Sequence, residues 1–164
     1  MKDQKQQTAG EDPGAPVLGV LDDFVGMYLR AAYETAYRDF ATRLGADTLK
    51  PGYFTILTLI VNNPGISQTQ IGQASQRDKS SVAKALRWME DNGLITRLRP
   101  NHDRRTHLSE ATDAGRVLQA RMEAKGRDHL AALNATIGTE RREAFIATLK
   151  QIIEALPAAA PPTE

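Results

Sequence analysis

The stretch "SQTQIGQASQRDKSSVAKALRWMEDNGLI" occupies residues 67–95 and carries the strongest fold signal of the chain. Ser67 is followed three residues later by Gln70, which is the capping-box pattern of a helix start. Ile71 and Ala74 then occur at helical spacing, so we expect both to face inward. The first part of the stretch therefore predicts a short helix followed by a turn.

The second part of the stretch predicts a longer helix over residues 79–92. Asp78 is a favourable cap at its start, and Gly93 is a favourable stop at its end. Placed at about 100° per residue, three apolar side chains gather on one side: Val82, Leu86 and Met89. Hydroxyls and cations gather on the opposite side, with Arg77 at its N-terminal edge: Ser80, Lys84 and Arg87. This helix is thus predicted to bury one face and to present a polar, cationic one.

Two strand-length segments follow, "LITRLR" at residues 94–99 and "THLSEAT" at residues 106–112. They flank the basic heptapeptide "RPNHDRR" at residues 99–105, which is therefore predicted to be the tip of a β-hairpin. Helix, short helix, helix and two-stranded hairpin together make a winged helix-turn-helix. The sequence accordingly predicts a mostly α fold with a small β-hairpin wing.

The segment before this motif predicts two further helices. A helix is expected over residues 17–44, because apolar residues recur there at three- and four-residue steps up to a stop at Gly45. Pro51 suits the first turn of the next helix, which ends at the turn "NNPG" over residues 62–65. The residues of that helix expected to face inward are Phe54, Leu57 and Ile60 or Val61.

The segment after the hairpin predicts two long helices. Thr112 can cap the first, over residues 113–136, and a second over residues 140–156 follows a helical period closely. Their apolar residues are Val117, Leu118, Met122, Leu130, Leu133, Phe145, Ile146, Leu149, Ile152, Ile153 and Leu156. The polar residues 1–16 and the Pro- and Ala-rich residues 157–164 are expected to be a disordered arm and a disordered tail.

Charge is distributed unevenly along the chain. The formal net charge is only +1, so a polyanion would have to be bound by a local surface. Residues 77–105 contain eight Lys or Arg against four Asp or Glu, a local net charge of +4, which leaves −3 for the remainder. This asymmetry singles out the second helix of the motif and the hairpin tip as one basic surface.

The residues needed for several classes of function are missing. There is no cysteine, which excludes disulfides, thiolate zinc sites and cysteine-based redox sensing. His102, His107 and His129 are not accompanied by carboxylates at ligand spacing, and no catalytic motif is present. We therefore predict no metal, no cofactor and no enzyme activity. The N-terminus has no apolar signal core and no segment reaches the ~20 apolar residues of a membrane span, so we expect a soluble cytoplasmic protein without a membrane partner.

The basic surface has the chemistry of an interface with double-stranded DNA. Small hydroxyls and cations on a helix face without large apolar groups suit the major groove, and an arginine-bearing hairpin beside it suits the adjacent minor groove. Within the hairpin tip, a contact between Asp103 and Arg105 would order the arginine before DNA arrives. The predicted DNA-contacting residues are Arg77, Lys79, Ser80, Ser81, Lys84, Arg87, Asp103, Arg104 and Arg105.

Residues 51–115 resemble the multiple-antibiotic-resistance regulator (MarR) family of bacterial transcription factors. The similarity is carried by "PGYFTILTLI", "NNPGISQTQIGQAS" and "DKSSVAKALRWMEDNGLI". Above all it is carried by the triplet Asp103-Arg104-Arg105 with Thr112 and Gly115 downstream. Each piece alone is weak, but the combination is specific, and the flanking helices match the family in layout.

The resemblance implies an obligate homodimer, joined by helices over residues 17–44 and 116–156 around a DNA-binding domain over residues 45–115. The two recognition helices of such a dimer meet successive major grooves about 34 Å apart, so the operator is predicted to be an imperfect palindrome. Repression is the family's commoner mode. The resemblance places wing contacts with DNA on Arg104 and Arg105, and groove contacts on Ser80, Ser81 and Lys84.

The resemblance also implies an effector pocket between the dimerisation and DNA-binding parts, often for phenolic or other aromatic acids. The residues expected near it are Tyr28, Arg30, Tyr33, Tyr37, Arg38, Tyr53 and Trp88. They favour an aromatic acid or an aryl thioester of coenzyme A, which would release a repressor from its operator. Packing is the alternative for Trp88 and for most of the tyrosines. For the whole chain, the alternative is a winged-helix protein–protein interaction module without specific DNA binding.

Three residues depart from the family pattern. Lys50 stands where a helix-capping Thr is common, which makes the start of the second helix less defined. Ala111 replaces the usual Leu before Thr112 and is expected to weaken the second wing strand. Lys84 stands where Arg is common, and because lysine lacks the bidentate guanidinium fork, sequence preference should be affected more than DNA binding itself.

Overall fold

A computed structural model describes residues 16–98 and 107–156, and within these ranges the chain is mostly helical with one small sheet. In chain order the elements are α1 (Val25–Leu44), α2 (Tyr53–Asn62), β1 (Ile66–Ser67), α3 (Gln68–Ser75), α4 (Lys79–Asp91), β2 (Ile95–Leu98), β3 (Leu108–Ala111), α5 (Asp113–Ile137) and α6 (Thr139–Ala155). The chain divides into two units between Thr35 and Ala36. The predicted winged helix-turn-helix is confirmed and lies in the second unit.

The first unit holds a short 3₁₀ turn, Gly19–Asp23, and then the first half of α1. The expectation of one continuous helix from Val17 is therefore wrong. Gly19 adopts a left-handed backbone with φ of +58°, and Phe24 after the turn has ψ of 87°, so neither continues a right-handed helix. The apolar residues of this segment are exposed: Val17, Leu18, Val20, Leu21, Phe24 and Val25.

The core of the second unit is formed by the predicted apolar faces of the winged helix-turn-helix. From α2, α3 and α4 it takes Ile56, Leu57, Ile60, Ile71, Val82, Ala85, Leu86 and Met89. Two residues outside 45–115, Leu44 and Met122, also belong to this core. The predicted domain boundaries stay a prediction. Ala74 was expected to face inward but is exposed, and Ile71 is the one buried residue of the eight-residue α3.

Three of the predicted helix caps are confirmed. Ser67 and Gln70 form the reciprocal capping box, with the Gln70 amide donating to Ser67 Oγ over 3.3 Å. The carboxylate of Asp78 caps α4, and Thr112 Oγ1 accepts from the amide of Gly115 at the start of α5. Each cap satisfies backbone donors that have no partner inside the helix. Because these contacts are local, the starts of the three helices could be predicted from the sequence.

The start of α2 differs from expectation. Pro51 does not lie in the first helical turn, because Gly52 intervenes with a left-handed φ of +80° and the helix begins at Tyr53. No side chain caps this start, in keeping with Lys50 in place of a capping residue. Instead, the guanidinium of Arg77 donates to the carbonyl of Pro51 over 3.2 Å. This tertiary contact holds the turn before α2 but does not cap the helix, because a guanidinium cannot accept from the free N–H groups of the first turn.

The wing is an antiparallel pair in which Ile95 lies opposite Ala111 and Leu98 opposite Leu108. The two-residue β1 adds a third strand, with Ile66 opposite Ser109, so that the sheet order is β1-β3-β2. Two residues are too few for a period-two pattern, which is why β1 was not predicted. Strand β3 extends through Ala111 and buries that side chain in place of the larger family residue.

A tight backbone junction joins α4, β2 and α5. The amide of Thr112 donates to the carbonyl of Leu94 over 3.0 Å, and its hydroxyl donates to the carbonyl of Gly93 over 2.7 Å. A Cβ at Gly115 would lie 2.0 Å from the Leu94 oxygen, which no side chain can tolerate. Thr112 and Gly115 of the family motif are therefore the two residues that bring the start of α5 against the start of β2.

Ion pairs anchor α5 to the short turn that follows α1. Asp47 Oδ1 lies 2.8 Å from Arg121 Nη2, and Asp47 Oδ2 lies 2.9 Å from Lys125 Nζ. Lys125 also donates to the carbonyl of Leu44. These cations, Lys125 first, hold the pKa of Asp47 below its ordinary value. The long C-terminal helix is thereby fixed to the winged helix-turn-helix at its N-terminal half.

Helices α5 and α6 follow their predicted ranges to within one residue. Met122 of α5 is buried, but Val117 and Leu130 are about half exposed. On α6 no residue is fully buried, and Phe145 and Ile153 are 44% and 50% exposed. Within the described ranges, none of the helices combines the length and apolar character needed to cross a membrane.

The junction at Gly115 yields a stability prediction. Gly115→Ala should lower the free energy of unfolding by about 1–3 kcal/mol or more, because the new methyl group meets backbone rather than a movable side chain. Urea denaturation at fixed protein concentration measures the change. Ala114→Ser, at the exposed neighbouring position, is the matched control and should stay within about 0.5 kcal/mol. An unchanged midpoint for Gly115→Ala would contradict the close approach.

Candidate nucleic-acid interface and ligand groove

The N-terminus of α4 is organised by Asp78. Its Oδ1 accepts from the Ser81 amide over 2.8 Å and from Ser80 Oγ over 2.7 Å, and its Oδ2 accepts from Ser81 Oγ over 2.6 Å. These donors, the Ser81 hydroxyl first, hold the pKa of the Asp78 carboxyl well below its usual range. Both hydroxyl hydrogens are therefore committed to an ionised carboxylate, and the serine oxygens keep only acceptor capacity toward solvent.

The predicted polar face of α4 is open to solvent. Lys79, Ser80, Lys84 and Arg87 are exposed, and Ser81 is half-buried. Arg87 is 83% exposed and lies 4.0 Å from Asp91, a loose pair that leaves the guanidinium able to reach another anion. The face thus combines hydroxyl acceptors with mobile cations and carries no large apolar side chain. Such a surface can contact both base edges and phosphates.

Arg77 is placed differently from the other predicted DNA-contacting residues. It is half-buried and its guanidinium packs over the start of α2, where a Cβ at Gly52 would lie 1.7 Å from Nη1. Its contact with the Pro51 carbonyl gives it a structural role in joining α2 to the turn before α4. Contact of Arg77 with DNA stays a prediction.

A polar groove of about 370 Å³ lies where α3, the start of α4 and β3 meet. It is lined by Ser67, Gln68, Thr69, Gly72, Gln73, Arg77, Lys79 and His107. Gln68 spans it, with its side-chain amide donating to the Lys79 carbonyl over 3.3 Å. Sequence reasoning missed the α3 side of this surface and His107, although the run "SQTQ" offered a signal, since amides and hydroxyls in a first helical turn can donate to phosphates.

The wing contributes one ion pair within the described residues. Arg97 Nη1 on β2 lies 3.6 Å from Glu90 Oε2 on α4, which ties the base of the hairpin to the helix beside it. Asp103, Arg104 and Arg105 lie outside the described residues. Their DNA contacts, and the contact between Asp103 and Arg105, therefore stay predictions.

The residues predicted to line an effector pocket are divided between the two units. In the first unit, Tyr28, Arg30 and Tyr33 are exposed, and Arg30 Nη1 donates to Glu34 over 2.8 Å. In the second unit, Arg38 is exposed and Tyr37 Oη donates to the Leu49 carbonyl over 2.9 Å.

Tyr53 and Trp88 belong to the packing of the second unit. Tyr53 is buried, and its ring lies 5.4 Å from that of Trp88 with the two planes tilted by 57°. This arrangement favours the packing alternative for both residues. Contact of either residue with a ligand stays a prediction.

An apolar groove of about 440 Å³ opens elsewhere in the second unit. It is lined by Phe40, Phe54, Glu123, Gly126, Arg127, His129 and Leu130. Phe40 is central, with its ring 5.4 Å from that of Phe54 and 5.2 Å from that of His129. A Cβ at Gly126 would lie 3.1 Å from Phe40, so the glycine lets the ring pack against α5. The groove thus offers a continuous aromatic surface against which a flat ring can pack.

A hydrogen-bonded pair of side chains lies behind this groove. Nδ1 of His129 lies 2.6 Å from Oδ2 of Asp39, and the same carboxylate oxygen accepts from Arg43 Nε over 2.8 Å. These hydrogen bonds, that from Arg43 first, lower the pKa of Asp39 to about 2. None of these groove residues was predicted as a site. Two features of the sequence could have indicated the groove. Gly126 stands inside a 25-residue helix, where glycine is unfavourable, and a histidine lies on the same helix.

Comparison with known proteins places this architecture in a family. The profile of the MarR family matches residues 49–107. A proposed transcriptional regulatory protein for the hcr operon of Thauera aromatica is 30% identical over 153 residues, which cover 93% of this chain and 92% of that protein. The match therefore extends over nearly the whole of both chains.

Solved structures agree with this assignment. The transcriptional repressor CouR bound to a 23-mer DNA duplex is 29% identical, covers 85% of this chain and 99% of its own, and gives a TM-score of 0.76. CouR bound to p-coumaroyl-CoA is 28% identical over 83% of this chain and 96% of its own, with a TM-score of 0.74. PcaV from Streptomyces coelicolor, in complex with its natural ligand, shares the fold at 20% identity over 87% and 98%, with a TM-score of 0.71. The chain belongs to the MarR family of DNA-binding transcriptional regulators, which are not enzymes.

Proposed function

We propose that the chain is a homodimeric repressor that binds a palindromic operator and leaves it when a small aromatic ligand binds. The observation that carries the proposal is the exposed face of α4, where Asp78 fixes two serine hydroxyls beside exposed cations. The solved relative bound to a DNA duplex supports a DNA-binding role for this face.

The geometry at the start of α4 suggests how bases are recognised. Because Ser80 and Ser81 donate to Asp78, their oxygens can only accept from a base. In the major groove the donors are the amino groups of adenine and cytosine. Lys84, one turn further along α4, donates and so suits guanine or a phosphate. This face of α4 thus offers both hydrogen-bond acceptors and a donor to the base edges.

The proposed dimer rests on the apolar side of α6. In a single chain this side is left partly open, as the exposure of Phe145 and Ile153 shows. A second copy packing symmetrically against it would remove that surface from water. Family regulators are dimeric, and an imperfect palindrome would match the twofold symmetry of such a dimer.

The proposed ligand response rests on the groove around Phe40. Its aromatic walls suit a flat ring, and CouR, a relative at 28% identity, is known with p-coumaroyl-CoA bound. We assign the ligand of this chain to the groove, with an aromatic acid or an aryl-CoA as its chemical class. The groove is lined by residues of α1, α2 and α5, so a bound molecule contacts both the winged helix-turn-helix and the long C-terminal helix.

A gel shift tests the proposed function directly. The full-length protein should shift the DNA upstream of its own gene, and an aromatic acid or its CoA thioester should reverse the shift. A protein that selects no sequence from a randomised DNA pool would contradict the proposal and favour the protein–protein interaction module. Release only by a metal ion or a peroxide would contradict the ligand part alone.

Lys84→Ala tests the role of α4 in reading DNA. If Lys84 contacts a base, affinity should fall by about 1–3 kcal/mol, with preference relaxed at one position of each half-site. Anisotropy titration against operator variants separates this outcome from a uniform loss, which would mean a phosphate contact only. Lys150→Ala, an equal loss of charge at an exposed position of α6, is the control and should bind as the wild type does.

Arg105→Ala and Asp103→Ala should behave differently. Loss of Arg105 removes a cation at the DNA, so affinity should fall and the salt slope should shrink by about one unit for each phosphate that is no longer neutralised. Loss of Asp103 removes a negative charge, yet we expect weaker binding, because ordering a long side chain is worth roughly 0.5–1.5 kcal/mol at an interface. The salt slope should hardly change. Tighter binding by Asp103→Ala across several salt concentrations would show that Asp103 does not orient the arginine.

Leu149→Glu and Ile153→Glu test the dimer. Each places a charge on the apolar side of α6, where burial of an unpaired carboxylate opposes association. Assembly and DNA binding should be lost together, as followed by light scattering and gel shift. Gln151→Glu adds the same charge at an exposed position of α6 and should remain dimeric. A monomeric variant that still binds DNA tightly would disprove the proposed assembly.

A further inference from the structure

The imidazole of His129 has one ring nitrogen without a hydrogen-bond partner among the described residues. His129 lines the groove, and its side chain is 15% exposed. Nδ1 faces Asp39 over 2.6 Å, whereas no hydrogen bond to Nε2 is found in residues 16–98 and 107–156. The two ring nitrogens flank Cε1, and their hydrogen-bonding directions diverge in the plane of the ring. Nε2 is therefore the nitrogen that remains for a molecule in the groove.

Asp39 determines what Nε2 can do. An ionised carboxylate only accepts hydrogen bonds, so the short contact requires Nδ1 to carry the hydrogen. In the neutral imidazole, Nε2 then has no hydrogen and is an acceptor. Arg43 donates to the same Oδ2 over 2.8 Å, so one carboxylate oxygen of Asp39 accepts from both side chains. A neutral His129 held in this way accepts from a hydroxyl group and repels a bare carboxylate.

The other polar groups of the groove are less suited to the same task. Glu123 already accepts from the side-chain amide of Gln119 over 3.0 Å, and Arg127 is an exposed cation that suits an anionic end of a ligand. His129 instead stands directly against the Phe40 ring, at 5.2 Å between centroids. A ring lying along Phe40 and Phe54 would carry its own substituents to the imidazole edge.

We propose that His129, positioned by Asp39, accepts a hydrogen bond from a phenolic hydroxyl on the ligand and so makes the regulator selective for phenols over the corresponding unsubstituted arenes. This inference rests on the proposed ligand response and adds to it the residue that selects the ligand. A site that hydrogen-bonds a hydroxyl group rejects analogues without it, because the buried acceptor is then left unpaired.

The test compares three thioesters that differ only at one ring position: p-coumaroyl-CoA, cinnamoyl-CoA and 4-methoxycinnamoyl-CoA. Binding to the full-length protein is measured by calorimetry at about pH 7.5, above the ordinary imidazole pKa of about 6.5 and in the range where the phenol of the thioester keeps its hydrogen. The wild type should bind the hydroxylated compound at least about tenfold more tightly than the other two. Equal binding of all three, or binding of none, would overturn the inference.

Variants distinguish the role of His129 as a hydrogen-bond acceptor from its role in packing against Phe40. His129→Phe keeps a ring beside Phe40 but removes the acceptor, so the preference should fall to about onefold while cinnamoyl-CoA still binds. His129→Gln restores an acceptor and should recover part of the preference. Asp39→Ala should reduce the preference, whereas Arg43→Ala, which removes the other partner of the same carboxylate, should largely retain it. An unchanged preference in His129→Phe would overturn the proposed role.

Two further readouts keep this inference distinct from the proposed function. Release of operator DNA by cinnamoyl-CoA and p-coumaroyl-CoA at equal concentrations would support a ligand-responsive repressor and overturn the role of His129. Light scattering of His129→Phe should give the wild-type dimer. Loss of the dimer in this variant would instead mean that a second copy of the chain covers the groove, and would overturn the ligand site.

Discussion

The backbone contact between Gly115 and Leu94 is the constraint on which the arrangement of the molecule depends. At this point the end of the recognition helix, the first wing strand and the start of α5 meet within one turn of chain. Thr112 closes the junction by donating to two consecutive carbonyls and by capping α5. Because only a residue without Cβ fits at position 115, the first turn of α5 can pack directly against the backbone of Leu94. The start of α5, the helix that carries His129, is therefore held against the segment that joins α4 to β2.

The parts of the fold that were predictable are those set by local contacts. Ser67, Asp78 and Thr112 cap helices with residues three positions away, so their role is visible in the sequence. The start of α2 was not predictable in the same way, because no side chain caps it and it follows the left-handed backbone of Gly52. The short strand β1 and the interrupted start of α1 were missed for a related reason. A two-residue strand has no period, and the apolar spacing before α1 does not reveal that the backbone leaves the helical conformation at Gly19 and Phe24.

The same distinction applies to the candidate sites. The polar face of α4 lies on one helix, so a helical wheel was enough to find Lys84 and Arg87. In the apolar groove, by contrast, His129 is hydrogen-bonded to Asp39, a residue 90 positions away. Periodicity in the sequence cannot reveal such a contact. Aromatic residues alone were a poor guide to it. Tyr53 and Trp88 pack against each other, whereas the groove is walled by Phe40 and Phe54, residues that the sequence indicated only as apolar.

A connection between groove and DNA face requires an element with two arrangements. The ion pairs of Asp47 with Arg121 and Lys125 fix the N-terminal half of α5, whereas Gly126 and His129 of the groove lie further along the same helix. A ring inserted beside Phe40 would therefore act on α5 beyond these ion pairs, at the point where His129 is hydrogen-bonded to Asp39 of α1. Shifting a population from 1:99 to 99:1 needs a preference of about 5.5 kcal/mol for one state. The burial of one aromatic ring supplies roughly 1.5–3 kcal/mol, so a ligand must add polar contacts that differ between the two states. The hydrogen bond that we propose between His129 and a phenolic hydroxyl group would be such a contact if α5 has a second arrangement that separates His129 from a ring held beside Phe40.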